Sequence, residues 1–302
     1  MQSNQNLIDS LKNAYRYGGM TIRLILINVV VFLFIQIIEV SSRLLLAQDS
    51  LLSKFLGSVF TLNTQLSEFV WMPWGIVTSI FSHFTLWHLL LNMLFLYFSG
   101  RMFEQLFDSK RLWFTYLFGG VAGGILEIIA HVIFPALQGS NVVIVGASGS
   151  VMAIFMGLAF YRPNLTVSLF GVFPIRLIFL AGFFLVSDLI SLGLNDGVAH
   201  FAHIGGALFG ALSIRNIHSS KNIITKVQNF IDKIVKSFAN RSTKKQSANR
   251  SNSRMKTDEE YNLEAKKKQM KIDAILDKIS KSGYESLTRQ EKDFLFNQSK
   301  NG

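Results

Sequence analysis

The chain has 302 residues, half of them hydrophobic, with a net charge of +11 and no cysteine. Mean hydropathy is +0.34, and long apolar stretches with few charges exclude an ordinary soluble domain and point to a membrane protein. Disulfides, a thiol nucleophile and cysteine-ligated metal are excluded as well.

Residues 1–20 are polar and lack the apolar core and cleavage site of a signal peptide, so they read as a cytoplasmic N-terminal segment. Residues 21–215 hold six apolar stretches. The first runs about Leu24–Val40, and a loop of some forty residues follows, leucine- and phenylalanine-rich yet too broken to span. That loop suits the membrane interface, with Trp71, Trp74 and Trp87 as aromatic anchors. The others cover Phe84–Ser99, Leu112–Phe134, Val145–Tyr161, Ile175–Leu194 and His200–Ile214. The second, fourth and sixth are short for a bilayer core of ~30 Å. Backbone that starts below the membrane surface is tolerated where it lines a watery cavity, which hints at function.

Lys12, Arg16 and Arg23 precede the first stretch. Arg101, Lys110 and Arg111 lie between the second and third, and Arg162 and Arg176 between the fourth and fifth. The other side carries only Arg43 and Lys54, so both termini are expected to be cytoplasmic. Stretches two, four and six then all run from outside to inside. His88, Ser148 and His203 consequently fall near the outer ends of their helices, at one depth.

Ser148 lies in Gly146-Ala147-Ser148-Gly149, with no bulky neighbour to shield its hydroxyl. It becomes a nucleophile if a base takes its proton and donors hold the oxyanion. His203, Gly206 and Gly210 share one helical face, and Gly149, Ala153 and Gly157 form a matching stripe beside Ser148. Small-residue faces let membrane helices approach closely, so the two stripes can bring Ser148 to His203. Glycine-mediated packing around a buried histidine is the plainer reading. His88 and Asn92 are four apart and both donate hydrogen bonds, which suits an oxyanion site as well as helix–helix adhesion.

His88-Leu89-Leu90-Leu91-Asn92, Gly146-Ala147-Ser148-Gly149 and His203-x-x-Gly206-x-x-x-Gly210 together resemble the three signature motifs of the rhomboid intramembrane serine proteases, in that family's order and on its second, fourth and sixth spans. The likeness covers about Thr21–Ile214. It implies an all-α polytopic membrane protein with a six-span bundle, in which Ser148 is the nucleophile and His203 the base of a dyad. It further implies that His88 and Asn92 bind the oxyanion, and that no cofactor or metal takes part. Gly100 and Glu104 resemble the family's Gly-x-x-x-Glu turn. Two departures stand out: Trp74-Gly75 replaces the Trp-Arg of many bacterial members, and Met152 replaces an aromatic residue four after the nucleophile.

His200 is an alternative base, and His83 suits tying down the first loop. Glu127 and His131, an i,i+4 pair, read as a local buried pair or a proton relay. Asp188 and Asp196 are available as a third catalytic member, which the resemblance does not call for. Ser150 reads as packing. No histidine cluster has metal-ligand spacing.

The tail holds +9 of the net charge. Residues 216–257 read as a basic, largely disordered linker, and 258–302 as a cytoplasmic helical hairpin. Ile272, Ile275, Leu276 and Ile279 set one amphipathic face, and Thr288 with Glu291 forms a capping box. The tail's charge suits anionic lipid headgroups rather than nucleic acid. The expected activity is hydrolysis of membrane-protein substrates in or beside a transmembrane segment, in a multi-pass protein of a bacterial inner membrane. An inactive rhomboid-like adaptor and a transporter with a His/Glu proton path are the alternatives.

Overall fold

The polar N-terminal segment folds into an amphipathic helix, α1 (Leu7–Tyr17), and turns through Gly19 (φ +75°) into α2 (Gly19–Leu45). The computed structural model describes residues 7–45, 51–137, 143–169, 173–194, 196–246 and 258–299. They form two units, Met1–Ile234 and Val235–Gly302. The forty-residue loop after α2 is largely structured: α3 (Leu51–Phe60), strand β1 (Leu62–Asn63), and the short helices α4 (Leu66–Phe69) and α5 (Gly75–Thr78). Trp71 and Trp74 in this loop and Trp87 just beyond it are exposed, as interfacial anchors would be.

Then come α6 (Leu86–Leu106) and α7 (Ser109–Ile133), capped by Thr85 and Asp108, whose side chains accept from the backbone N–H of His88 and Arg111. Strand β2 (Val143–Ile144) leads into α8 (Ser148–Tyr161). A hairpin of β3 (Thr166–Leu169) and β4 (Phe173–Arg176) leads to α9 (Leu177–Ile190), and α10 (His200–Ile214) follows. The fifth apolar stretch therefore starts its helix at Leu177 rather than Ile175. Phe173–Arg176 pair as a strand with Thr166–Leu169 instead.

Helices occupy all six expected stretches. Two of them, α2 and α7, are long and apolar enough to cross a membrane alone, and α6 becomes a third if it is joined to α5 and the turn beyond it across an 87° bend. At 14 or 15 residues, α8, α9 and α10 reach only about 21–23 Å. α8 sits at the centre. Ala153, Ile154, Leu158 and Ala159 on it are fully buried, while Leu33, Phe98, Phe179 and Phe183 on the surrounding helices point outward. A fold with an outer apolar coat and a small-residue core suits a lipid surround.

Gly100 and Glu104 join α6 to the start of α2. Glu104 accepts from the backbone N–H of Met20 (2.7 Å) and Thr21 (3.0 Å), satisfying donors that the first turn of a helix leaves open. Gly100 lies so close to Thr21 that a Cβ would sit 2.9 Å from its side chain.

The basic linker expected at 216–257 differs in its first half. Ile223–Gln246 form a helix, α11, because Ile223, Ile224, Val227, Phe230, Ile231 and Ile234 recur at helical spacing. Asn222 caps it, accepting from Ile224 N–H (3.1 Å) and from Arg111 (3.1 Å), and donating to Ser213 C=O (2.7 Å). The second half of that linker, 247–257, lies outside the described residues.

The second unit contains α12 (Asp258–Ser282) and α13 (Arg289–Ser299). Ile275 on α12 and Leu287 just before α13 are buried, Leu276 is exposed, and the Thr288–Glu291 capping box forms in both directions.

Candidate active site

The approach to Ser148 is set by short-range geometry. β2 pairs antiparallel with β1, Ile144 opposite Leu62. Gly146 then takes φ +111°, a conformation that favours glycine, and its N–H donates to Ser79 C=O (2.9 Å). Ala147 is the N-cap, and its N–H donates to His83 Nε2 (3.4 Å). Ser148 is thus the first residue of α8. The N–H groups of a first turn have no intrahelical acceptor, and the helix dipole there favours negative charge.

His88 stands in the first turn of α6 with its ring against Gly146, where a Cβ would lie 2.6 Å from Cε1. His83 is fully buried and meets the His88 ring edge-on at 5.0 Å. His83 therefore braces both the Ser148 turn and His88, a larger role than securing the loop. Asn92, one turn beyond His88, donates to its carbonyl oxygen (2.9 Å).

α10 crosses α8 through the two small-residue faces. Cβ atoms on Gly206 and Gly210 would collide with the carbonyl oxygens of Gly149 and Ala153, and one on Gly149 would meet Ala202 C=O at 3.1 Å. All four small positions are thus backbone-to-backbone contacts. Ser148, His203, His88 and Asn92 line one cavity of about 520 Å³, open to the surface, with Gly146 and Gly149 in its wall. Among the described residues no hydrogen bond joins Ser148 to His203.

His203 Nδ1 instead lies 2.9 Å from Asp188 Oδ1, and His200 Nδ1 lies 2.8 Å from the same oxygen. His200 Nε2 faces Asp196 Oδ2 at 3.0 Å. Both nitrogens of His200 are thereby occupied, leaving neither to take a proton from serine. Asp188, His200 and His203 bring three potential ligand atoms within 4.8 Å of one another, a set that can hold a divalent ion although the sequence spacing gives no sign of it. Here the shared carboxylate oxygen already accepts from both imidazoles.

Glu127 lies beneath the start of α10. Its Oε2 accepts from Ala202 N–H (2.9 Å), and His131 Nδ1 is 3.0 Å from the Glu127 carbonyl oxygen. The pair acts as a cap across helices. Ser150 is buried against Gly120, with no hydrogen-bond partner for its hydroxyl among the described residues. Gly75 is required by packing: a Cβ there would strike the backbone carbonyl of Thr61, so no arginine fits. Met152 lines the cavity beside Ser148.

A small-residue helical bundle with a serine at the start of its central helix, in a cavity lined also by two histidines, has the character of a membrane protein of the rhomboid class. The rhomboid domain family matches residues 70–219, and the chain belongs to the rhomboid family. A family of unknown function (DUF6576) matches residues 256–301. The chain is similar to RHOMBOID-like protein 12, mitochondrial, of Arabidopsis thaliana, with 29% identity over 48% of this chain and 47% of that one. It is also similar to Rhomboid-like protein 11, chloroplastic, of the same plant (32%; 46% and 50%) and to presenilin-associated rhomboid-like protein A, mitochondrial, of Danio rerio (28%; 53% and 40%). The chain thus spans half or less of the length of these relatives.

Proposed function

We propose that this protein is an intramembrane serine endopeptidase that cleaves membrane proteins in or beside a transmembrane segment. The observation that carries the reading is the single cavity shared by Ser148, His203, His88 and Asn92. Ser148 Oγ attacks the scissile carbonyl carbon as its proton passes to His203 Nε2, the nitrogen that Asp188 does not engage. The oxyanion takes hydrogen bonds from His88, Asn92 and the N–H groups at the start of α8, which the helix dipole reinforces. His203 then returns the proton to the leaving amine, and water entering the open cavity releases the acyl-enzyme. The substrate helix has to unwind first, since a helical amide is shielded by its own hydrogen bonds. No cofactor enters these steps.

The same reading takes all six helices as spans, with α8, α9 and α10 starting or ending below the membrane surface, and with both termini cytoplasmic. We assign the protein to a bacterial inner membrane; the mitochondrial and chloroplastic labels belong to the relatives that carry them. Reporter fusions after Ala136 and Asp196 should report outside, and those after Asn164 and Ser251 inside; an outside signal at 251 would overturn the topology. The transporter reading is weakened by Glu127, whose carboxylate is committed to Ala202 N–H.

The deciding experiment incubates purified full-length protein in detergent with a single-span model substrate. Wild type should cleave it and Ser148→Ala should not. Equal cleavage by both would refute the serine mechanism, and cleavage by neither would leave the adaptor role.

A further inference from the structure

Asp188 is an isolated carboxylate in the apolar run of α9, buried, and its Oδ1 meets His203 Nδ1 at 2.9 Å. A carboxylate is costly to bury in a membrane helix and is retained where it has a partner and a task. Here it has two partners, since His200 donates to the same oxygen, and His200 is itself held by Asp196. It also borders the cavity that holds Ser148.

We propose that Asp188 is a positioning residue of the nucleophilic unit, completing a serine–histidine–aspartate chain. The inference rests on the serine-peptidase reading above. For His203 Nε2 to accept the serine proton, the ring must already carry its own proton on Nδ1, and an acceptor at Nδ1 selects that tautomer. When Ser148 gives up its proton, His203 becomes an imidazolium while keeping its Nδ1 proton, and Asp188 stays a carboxylate throughout. That cation forms in the first turn of α10, where the helix dipole opposes positive charge. The adjacent carboxylate offsets this. His200, tied at both ends, fixes the carboxylate in turn, so that Asp188 presents one oxygen along a set direction.

The test compares wild type with Asp188→Asn, Asp188→Ala and Asp188→Glu in the full-length detergent-solubilised protein. It reads kcat and KM on the single-span substrate and the rate of covalent labelling by a serine-directed phosphonate. An asparagine can turn its amide N–H toward Nδ1 and favour the wrong tautomer. Asp188→Asn should therefore lower kcat and labelling rate together by ~10² or more, with KM nearly unchanged. Asp188→Glu should restore part of the loss. Labelling of the folded Asn variant at the wild-type rate would overturn the inference while leaving the peptidase reading intact. Wild type that is neither labelled nor active would instead sink the peptidase reading. A readout needing no Asp188 variant is the 15N spectrum of histidine-labelled wild type, with the His203 signals assigned by their loss in His203→Gln. The proton of neutral His203 should be on Nδ1, and finding it on Nε2 would refute the proposal. Activity abolished by a chelator and restored by a divalent ion would also overturn it, by making the cluster a metal site.

Discussion

Gly206 on α10 rests against the carbonyl oxygen of Gly149 on α8, so closely that a Cβ at 206 would overlap that oxygen. Ser148 immediately precedes Gly149, and His203 lies three residues before Gly206. One backbone contact therefore fixes how the two chemical groups face each other. Gly210 against Ala153 repeats the contact one turn deeper and sets the crossing direction.

Gly206→Ala should for this reason be severely destabilising. The obstacle is backbone on the partner helix rather than the end of a flexible side chain, so relief requires the helices to separate. Overpacking typically costs about 1–3 kcal/mol and occasionally more, and an obstacle made of backbone puts this case at the upper end. Thermal unfolding in detergent should show a large drop in Tm together with loss of activity. Gly182→Ala, with nothing within 4 Å of its added Cβ, should stay near wild type. An unchanged Tm in Gly206→Ala would contradict the close crossing.

Much of this arrangement could be read in the chain. The paired stripes at Gly149, Ala153, Gly157 and at Gly206, Gly210 are local periodicities, and so is the Thr288–Glu291 capping box. Asp188 was legible only as a candidate, because nothing in its spacing links it to His203 fifteen residues later. That link depends on how α9 leans on α10. The β1–β2 pairing joins residues eighty apart through two-residue strands, too short to carry an alternation pattern. α11 was missed for another reason: basic composition outweighed an apolar face that begins directly after Asn222. His83 read as a loop anchor because its partner, the Ala147 N–H, is a backbone group and leaves no trace in sequence.

The oxyanion side of the cavity yields a graded prediction. His88→Ala and Asn92→Ala each remove one donor, and loss of one such donor costs ~10²–10³ in kcat. Both variants should still label with a phosphonate, though slowly, because Ser148 and His203 remain. Gly146→Ala should be worse than either in stability. Its φ of +111° strains any residue with a side chain, and the new Cβ would press on the His88 ring. Full activity in the two single-donor variants would remove His88 and Asn92 from the mechanism.

Acid should leave the C-terminal hairpin folded longer than a free glutamate would allow. The Thr288 backbone N–H, the Lys278 ammonium and the Thr288 hydroxyl hold the Glu291 carboxyl down at about 2. A lowered folded-state value means the contribution is present above the ordinary carboxylate range and is lost as pH falls through about 2. Amide protection of α13 in the full-length protein should accordingly persist to pH 3. Glu291→Gln should show the same weakened protection at pH 7 and pH 3. Melting of α13 near pH 4.5 in wild type would show that the carboxylate is not held this way.

The sharpest expectation concerns which groups act as one. If Ser148 and His203 form a single nucleophilic unit, replacing either by alanine should abolish cleavage, and replacing both should cost little more than one. Two groups acting independently would instead give losses that multiply. His200 separates the choice of base from the choice of nucleophile. Its ring nitrogens are both engaged by carboxylates, through Asp188 and Asp196, so His200→Gln should slow the enzyme by loosening Asp188 without silencing it. A serine-directed phosphonate should label wild type and His200→Gln but not Ser148→Ala. If His203→Ala stayed active while His200→Gln was dead, the nucleophile would stand and the base would be His200. Undiminished cleavage by folded Ser148→Ala would remove the nucleophile itself, and with it every role assigned to the cavity.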